Sequence, residues 1–178
     1  STVYQYLDYK YRNNQVFQID LNLFCKKEEF TLTLSDQKDI LDWIKTQSDG
    51  EDLIVLNNIF INSQALPKLQ FKKPVEYNVE ILATVLELGG YHNLYRNNNL
   101  LFKPYIYTNN KAWATLEDMI YDLTKSKGIY HYDDLYDFMQ KLFKFNSELN
   151  IDSMIRDFDG NKISVNWQTL DIDMEREL

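Results

Sequence analysis

The sequence predicts a mainly α chain. A helical domain with a helix–turn–helix is expected over residues 36–149, after a β-hairpin extension over 1–35 and before a small α/β C-terminal extension over 150–178 with an acidic end. Three observations predict this. Apolar residues recur at helical spacing from Val79 to Leu88 and stop at Gly89-Gly90. Two further stripes of that period, Trp113–Leu123 and Leu135–Phe145, are separated by a short turn. Alternating patterns, the mark of half-buried strands, fall near the two ends of the chain.

Taken in order, Thr2–Arg12 carries Tyr4, Tyr6, Tyr9 and Tyr11 and fits a strand or a helix. Gln15–Phe24 alternates through Val16, Ile19, Leu21 and Leu23, and Phe30–Leu34 through Phe30, Leu32 and Leu34. The polar run Cys25–Glu29 between them reads as the turn of a hairpin. Ser35 stands where a helix N-cap belongs. Ile40, Leu41, Ile44 and Gln47 follow at helical spacing with Trp43 beside them, and Asp49-Gly50 ends the helix. Leu53–Ile61 is almost continuously apolar, which suits a buried helix or a buried strand. A helix is the expectation, pairing with 36–47 as a helical hairpin.

The stretch Leu66–Leu94 carries the most information. The pair Lys72-Lys73 precedes Pro74, and proline fits the first turn of a helix because its missing N–H costs nothing there. Val79, Ile81, Leu82, Val85, Leu86 and Leu88 form the apolar set. Gly89-Gly90 stops the helix, since glycine accepts a left-handed conformation, and Tyr91 and Leu94 fold back as anchors. Residues 92–112 read as a loop holding Arg96, Lys103 and Lys111, no acidic residue, and the rings of Tyr95, Phe102, Tyr105 and Tyr107. Trp113 opens the next helix, capped by Asn109 or Asn110, with Leu116, Ile120 and Leu123 on its apolar face. Thr124–Tyr132 is a turn with Lys125, Lys127, Gly128 and His131. Leu135, Phe138, Met139, Leu142 and Phe145 mark the following helix, whose start carries Asp133 and Asp134, as a helix dipole favours. Ile151–Arg156 is a short helix. Asp157–Asn161 is a turn before the alternating Ile163, Val165 and Trp167, and Asp171–Leu178 is an acidic end, solvated or bound to a basic partner.

Composition narrows the function. The 178 residues fit one domain or one domain with extensions. A hydrophobic fraction of 44% excludes a disordered composition. The net charge of −8 argues against a strong generic nucleic-acid binder, although residues 66–110 hold 5 basic against 3 acidic side chains. A single cysteine, Cys25, allows no intrachain disulfide and suits a reducing, intracellular compartment. No signal-peptide pattern opens the chain, and no run of about 18 apolar residues is present to span a membrane.

His92 and His131 lie in separate loops, so with one cysteine no structural zinc site is expected. A calcium loop starting at Asp157 fails, because Gly160 takes the fourth place and Gln168 the twelfth, where that loop needs glycine sixth and glutamate twelfth. No phosphate-binding glycine loop, nucleophile elbow or kinase signature occurs. Cys25 beside Lys26 and Lys27 reads as a packing residue rather than an activated thiol. The chain is therefore expected to be a non-enzyme without a cofactor.

Leu66-Pro67, Glu76-Tyr77, Leu82, Val85, Gly89-Gly90-Tyr91 and Leu94, followed by the Trp113 helix and the Leu135–Phe145 helix, resemble the ARID family, the AT-rich interaction domains of chromatin proteins. The resemblance covers roughly residues 66–149. It implies an ARID-like helical domain, with Leu135–Phe145 as recognition helix, in a nuclear, chromatin-associated protein of transcription regulation. Its implied partners are double-stranded DNA and other protein subunits of a larger complex. Arg96, Lys103, Lys111, Lys125, Lys127, Lys141 and Lys144 would then contact phosphates, with the interleaved rings packing on sugars or bases. The recognition helix, however, begins with Asp133, Asp134 and Asp137, and carboxylates beside phosphates oppose binding. Two further readings follow: a protein-assembly scaffold, and a small acidic single-domain inhibitor, of the immunity or phage anti-defence type, that binds a basic protein partner.

Overall fold

The computed structural model describes residues 16–48, 52–95, 104–143 and 150–159. Contacts divide the chain into two compact units, Ser1–His92 and Asn93–Leu178.

In the first unit, β1 (Val16–Asp20) and β2 (Leu23–Lys26) form an antiparallel hairpin. Its turn is Leu21-Asn22, not Cys25–Glu29. The Asp20 carboxylate accepts the Leu21 N–H at 2.7 Å, and the Gln18 side-chain amide donates to the Leu21 carbonyl at 2.9 Å. The alternation misleads here because Leu21 is no core residue: it is 66% exposed at the tip of the hairpin. Lys27–Glu29 forms a 3-10 turn, and Phe30–Thr33 is not a strand. The Phe30 ring instead packs against Phe17 and Phe71, at 4.9 and 5.6 Å between centroids.

Helix α1 (Leu34–Gln47) is capped by Thr33 rather than Ser35. The Thr33 hydroxyl accepts the Asp36 N–H at 3.1 Å while the Asp36 carboxylate accepts the Thr33 N–H at 3.3 Å, a reciprocal capping box. Ile40 and Ile44 are its buried residues. The helix expected over Leu53–Ile61 does not form: β3 (Leu53–Val55) is followed by a 3-10 turn, Leu56–Asn58. Asparagine side chains compete for the backbone and disfavour helix interiors, and Asn57-Asn58 interrupt the run. Phe60, at its end, is 88% exposed, so the run is not one continuous buried element.

Helix α2 (Val79–Leu88) is the centre of this unit, with every residue from Glu80 to Leu86 buried. It packs on β1 and α1. Pro74 does not open it; that residue lies in an irregular segment ahead of the cap, Asn78. The Asn78 side-chain oxygen accepts the Glu80 and Ile81 N–H groups at 2.9 and 3.1 Å, and its nitrogen donates to the Ile19 carbonyl at 2.9 Å. One side chain thus starts the helix and ties it to the hairpin. The Thr84 hydroxyl adds a second tie, donating to the Gln18 carbonyl at 2.7 Å. The expected glycine stop is present. Gly90 sits at φ +93, its N–H reaches the Glu87 carbonyl at 3.2 Å, and the Tyr91 N–H reaches the Leu86 carbonyl at 2.9 Å, which is a Schellman ending. Tyr91 is buried as the anchor expected of it.

The second unit holds Leu94 as a fully buried residue, its N–H donating to the Ile106 carbonyl at 2.8 Å. Two short strands, β4 (His92–Asn93) and β5 (Ile106–Thr108), therefore lie within the stretch expected to be all loop. Helix α3 (Leu116–Lys127) is capped by Thr115, not by Asn109 or Asn110, and starts after Trp113 rather than at it. Helices α4 (Tyr132–Leu142) and α5 (Ile151–Asp159) follow and pack on each other. The turn expected over Thr124–Tyr132 shrinks to 128–131, and Asp157–Asp159, read as part of a turn, belong to α5. The expectations for Thr2–Arg12, for Ile163–Trp167 and for Asp171–Leu178 lie outside the described residues.

Of the described residues 50% are helical and 16% are in strands, with two small antiparallel sheets. The fold is mixed α/β, and the mainly α class expected, with its ARID-like helical domain, is corrected. The cause is strand length: β3, β4 and β5, of two or three residues each, are too short to show a period of two in the sequence.

Candidate interaction surface

The pair α3–α4 in the second unit realises the helix–turn–helix order of the sequence. The Thr115 hydroxyl accepts the Asp118 N–H at 3.2 Å and the Asp118 carboxylate accepts the Thr115 and Ala114 N–H groups at 3.1 Å, fixing where α3 begins. Trp113 precedes this cap as a buried side chain, and its indole N–H donates to Asp122 at 2.9 Å. Leu116, Met119 and Ile120 face the core. The helix ends at Gly128, at φ +66, with the Gly128 N–H on the Lys125 carbonyl and the Ile129 N–H on the Thr124 carbonyl.

Helix α4 then buries Tyr132, Leu135 and Met139 and turns Asp133, Asp134, Asp137, Gln140 and Lys141 to solvent. His131 provides no side-chain cap, so Asp133 and Asp134 in the first turn also offset the helix dipole. Three exposed carboxylates stand against one ammonium on this helix.

The sequence-predicted contact residues distribute unevenly. Lys125 and Lys127 are both exposed in the last turn of α3. The Lys125 ammonium lies 5.8 Å from the Tyr121 ring centre, and the Lys127 ammonium lies 5.8 Å from that of Phe138 on α4. Lys141 is exposed one helical turn after Phe138, a spacing that makes the two neighbours on the helix surface. Lys111 is exposed in the turn before Trp113. Arg96, Lys103 and Lys144 lie outside the described residues. The structure therefore brings Lys127 to the Phe138 face of α4, beside a helix whose exposed charges are Asp133, Asp134 and Asp137 against Lys141. Tyr130, 58% exposed in the turn between the helices, joins this surface without any sign of it in the sequence. Periodicity gives no signal for a turn residue.

Among the described residues no group of three or more His, Cys, Asp or Glu side chains is placed to hold a metal ion. No described helix is long and apolar enough to cross a membrane. Compared with protein-family models, curated proteins and solved structures, the chain matches none.

Proposed function

We propose that the chain is a non-catalytic binding module whose α3–α4 surface engages a positively charged protein partner. The observation that carries this reading is the exposed face of α4, where Asp133, Asp134 and Asp137 outnumber Lys141. A helix so charged, entering a DNA groove, would set three carboxylates near phosphates; the same helix meets a basic protein surface with complementary charge. The net charge of −8 favours the same class of partner through long-range attraction.

Docking on double-stranded DNA is the second reading. Lys125 and Lys127 favour it, since both are exposed at the end of α3 next to the rings of Tyr121 and Phe138. A chromatin and nuclear setting belongs with this second reading. Fluorescence anisotropy separates the two, with a labelled lysine-rich peptide and a labelled AT-rich duplex titrated in parallel at low and moderate salt. The first reading predicts salt-sensitive binding of the peptide and none of the duplex. Salt-sensitive binding of the duplex, lost in Lys125→Ala/Lys127→Ala, would replace it with the second.

A further inference from the structure

One face of the β1–β2 hairpin forms the floor of a groove that the reading above does not use. Phe17 and Ile19 alternate along β1, and the register sets Cys25 of β2 opposite Phe17, so these three residues share the buried face. A cavity of about 430 Å³ lies against this hairpin, lined by Ile19, Leu23, Phe24 and Cys25 on one side and by Phe71 on the other. Its size and lining are those of a small-molecule site, mostly apolar with a few polar groups at fixed places.

Aromatic packing ties the two walls together. The Phe30 ring lies 4.9 Å from Phe17 and 5.6 Å from Phe71, between centroids. Burial pushes the Cys25 thiol up to about 11, so the hairpin wall carries no thiolate at neutral pH. The charges stand at the rim, where Lys72 and Lys73 are both exposed. Glu29 is the one carboxylate among the described lining residues, and it accepts the Lys26 N–H at 3.3 Å. Two ammonium groups thus stand against one carboxylate, in a chain whose net charge is −8. A neighbouring recess of about 660 Å³ shares Phe71 and Lys73 but adds Asp20 and Glu76, which oppose an anion there and leave the positive end on the Lys72 side.

We propose that this cavity binds an amphipathic carboxylate, its apolar body against Ile19, Cys25 and Phe71 and its head group at Lys72 and Lys73. The apolar body supplies most of the affinity, through area removed from water. The lysine pair selects the sign of the head group, since exposed ion pairs are individually weak. The site uses no residue of α3–α4, so failure of either proposal leaves the other standing.

The test titrates the full, nitrogen-15-labelled chain with four probes and follows its amide resonances. Octanoate carries the tail and the anion, octan-1-ol the tail alone, octylammonium the tail with the opposite charge, and acetate the anion alone. Octanoate is expected to shift the amides of Ile19, Leu23, Phe24, Cys25 and Phe71, and acetate to leave them in place. Octanoate is expected to bind about three- to tenfold more tightly than octan-1-ol, the range two exposed lysines can supply, with octylammonium weakest. The double variant Lys72→Glu/Lys73→Glu changes only exposed side chains, and its melting curve verifies the fold. It is expected to invert the order, so that octylammonium binds best. No shift at these residues with octanoate, equal affinity for octanoate and octan-1-ol, or an unchanged order in the double variant would overturn the proposal.

Discussion

Asn78 does the work of two residues: its oxygen caps α2 and its nitrogen holds the Ile19 carbonyl of the hairpin. Asn78→Ala is expected to destabilise the chain by about 1–2 kcal/mol, read as a lower urea midpoint, because the cap and the tie are lost together. Asn78→Asp keeps the cap oxygen and loses the donor, so it is expected to fall between the two. Two acids in the same unit couple stability to alkaline pH. Burial, helped by the Glu29 charge, pushes the Cys25 thiol from 9.0 up to about 11. Burial, helped by Asp36, pushes the Tyr77 hydroxyl from 10.0 up to about 12. The folded chain holds both protons more tightly than the unfolded chain does. The stabilisation is therefore complete below pH 9.0 and is lost as pH rises through about 11 for the thiol. For the phenol the same loss runs from pH 10.0 to about 12. Melting temperature is expected to fall across this window, less steeply in Cys25→Ala and in Tyr77→Phe. The raised thiol also accords with reading Cys25 as a packing residue despite its lysine neighbours.

At the scale of elements, the Gly89-Gly90 stop is legible in the sequence and the helix starts only approximately. Gly90 and Gly128 both occupy positive φ, where a Cβ is strained. The apolar period ends just before Gly89-Gly90, whereas α3 runs on through the polar residues 125–127, which read as a turn, to Gly128. Gly128→Ala is expected to cost about 1 kcal/mol, seen as a lower melting temperature with the helical circular-dichroism signal of the folded chain retained. The caps differ from expectation, narrowly for Thr33 in place of Ser35 and more widely for Thr115 in place of Asn109 or Asn110. In both cases an aspartate three residues after the threonine, Asp36 and Asp118, closes a capping box. That spacing is visible in the sequence and marks both starts. The strands are less legible. The hairpin turn is set by Asp20 and Gln18 side chains rather than by glycine, and β3 to β5 are too short to alternate.

At the scale of the whole molecule, the proposed function rests on charge, and charge is legible in the amino-acid sequence alone. The apolar stripe of α4 implies that Asp133, Asp134 and Asp137 point outward, as they do. The groove in the first unit is not legible in the same way, because Cys25 and Phe71 come together only through the fold. The central claim is that the carboxylates of α4 hold a basic protein partner. Its most direct test is the affinity of the triple variant Asp133→Asn/Asp134→Asn/Asp137→Asn for the lysine-rich peptide, with the parent chain measured beside it at two salt concentrations. The substitutions remove charge and keep side-chain size. The account predicts that the variant binds at least about tenfold more weakly and loses most of its salt dependence. Equal affinity and equal salt dependence in the two chains would contradict it.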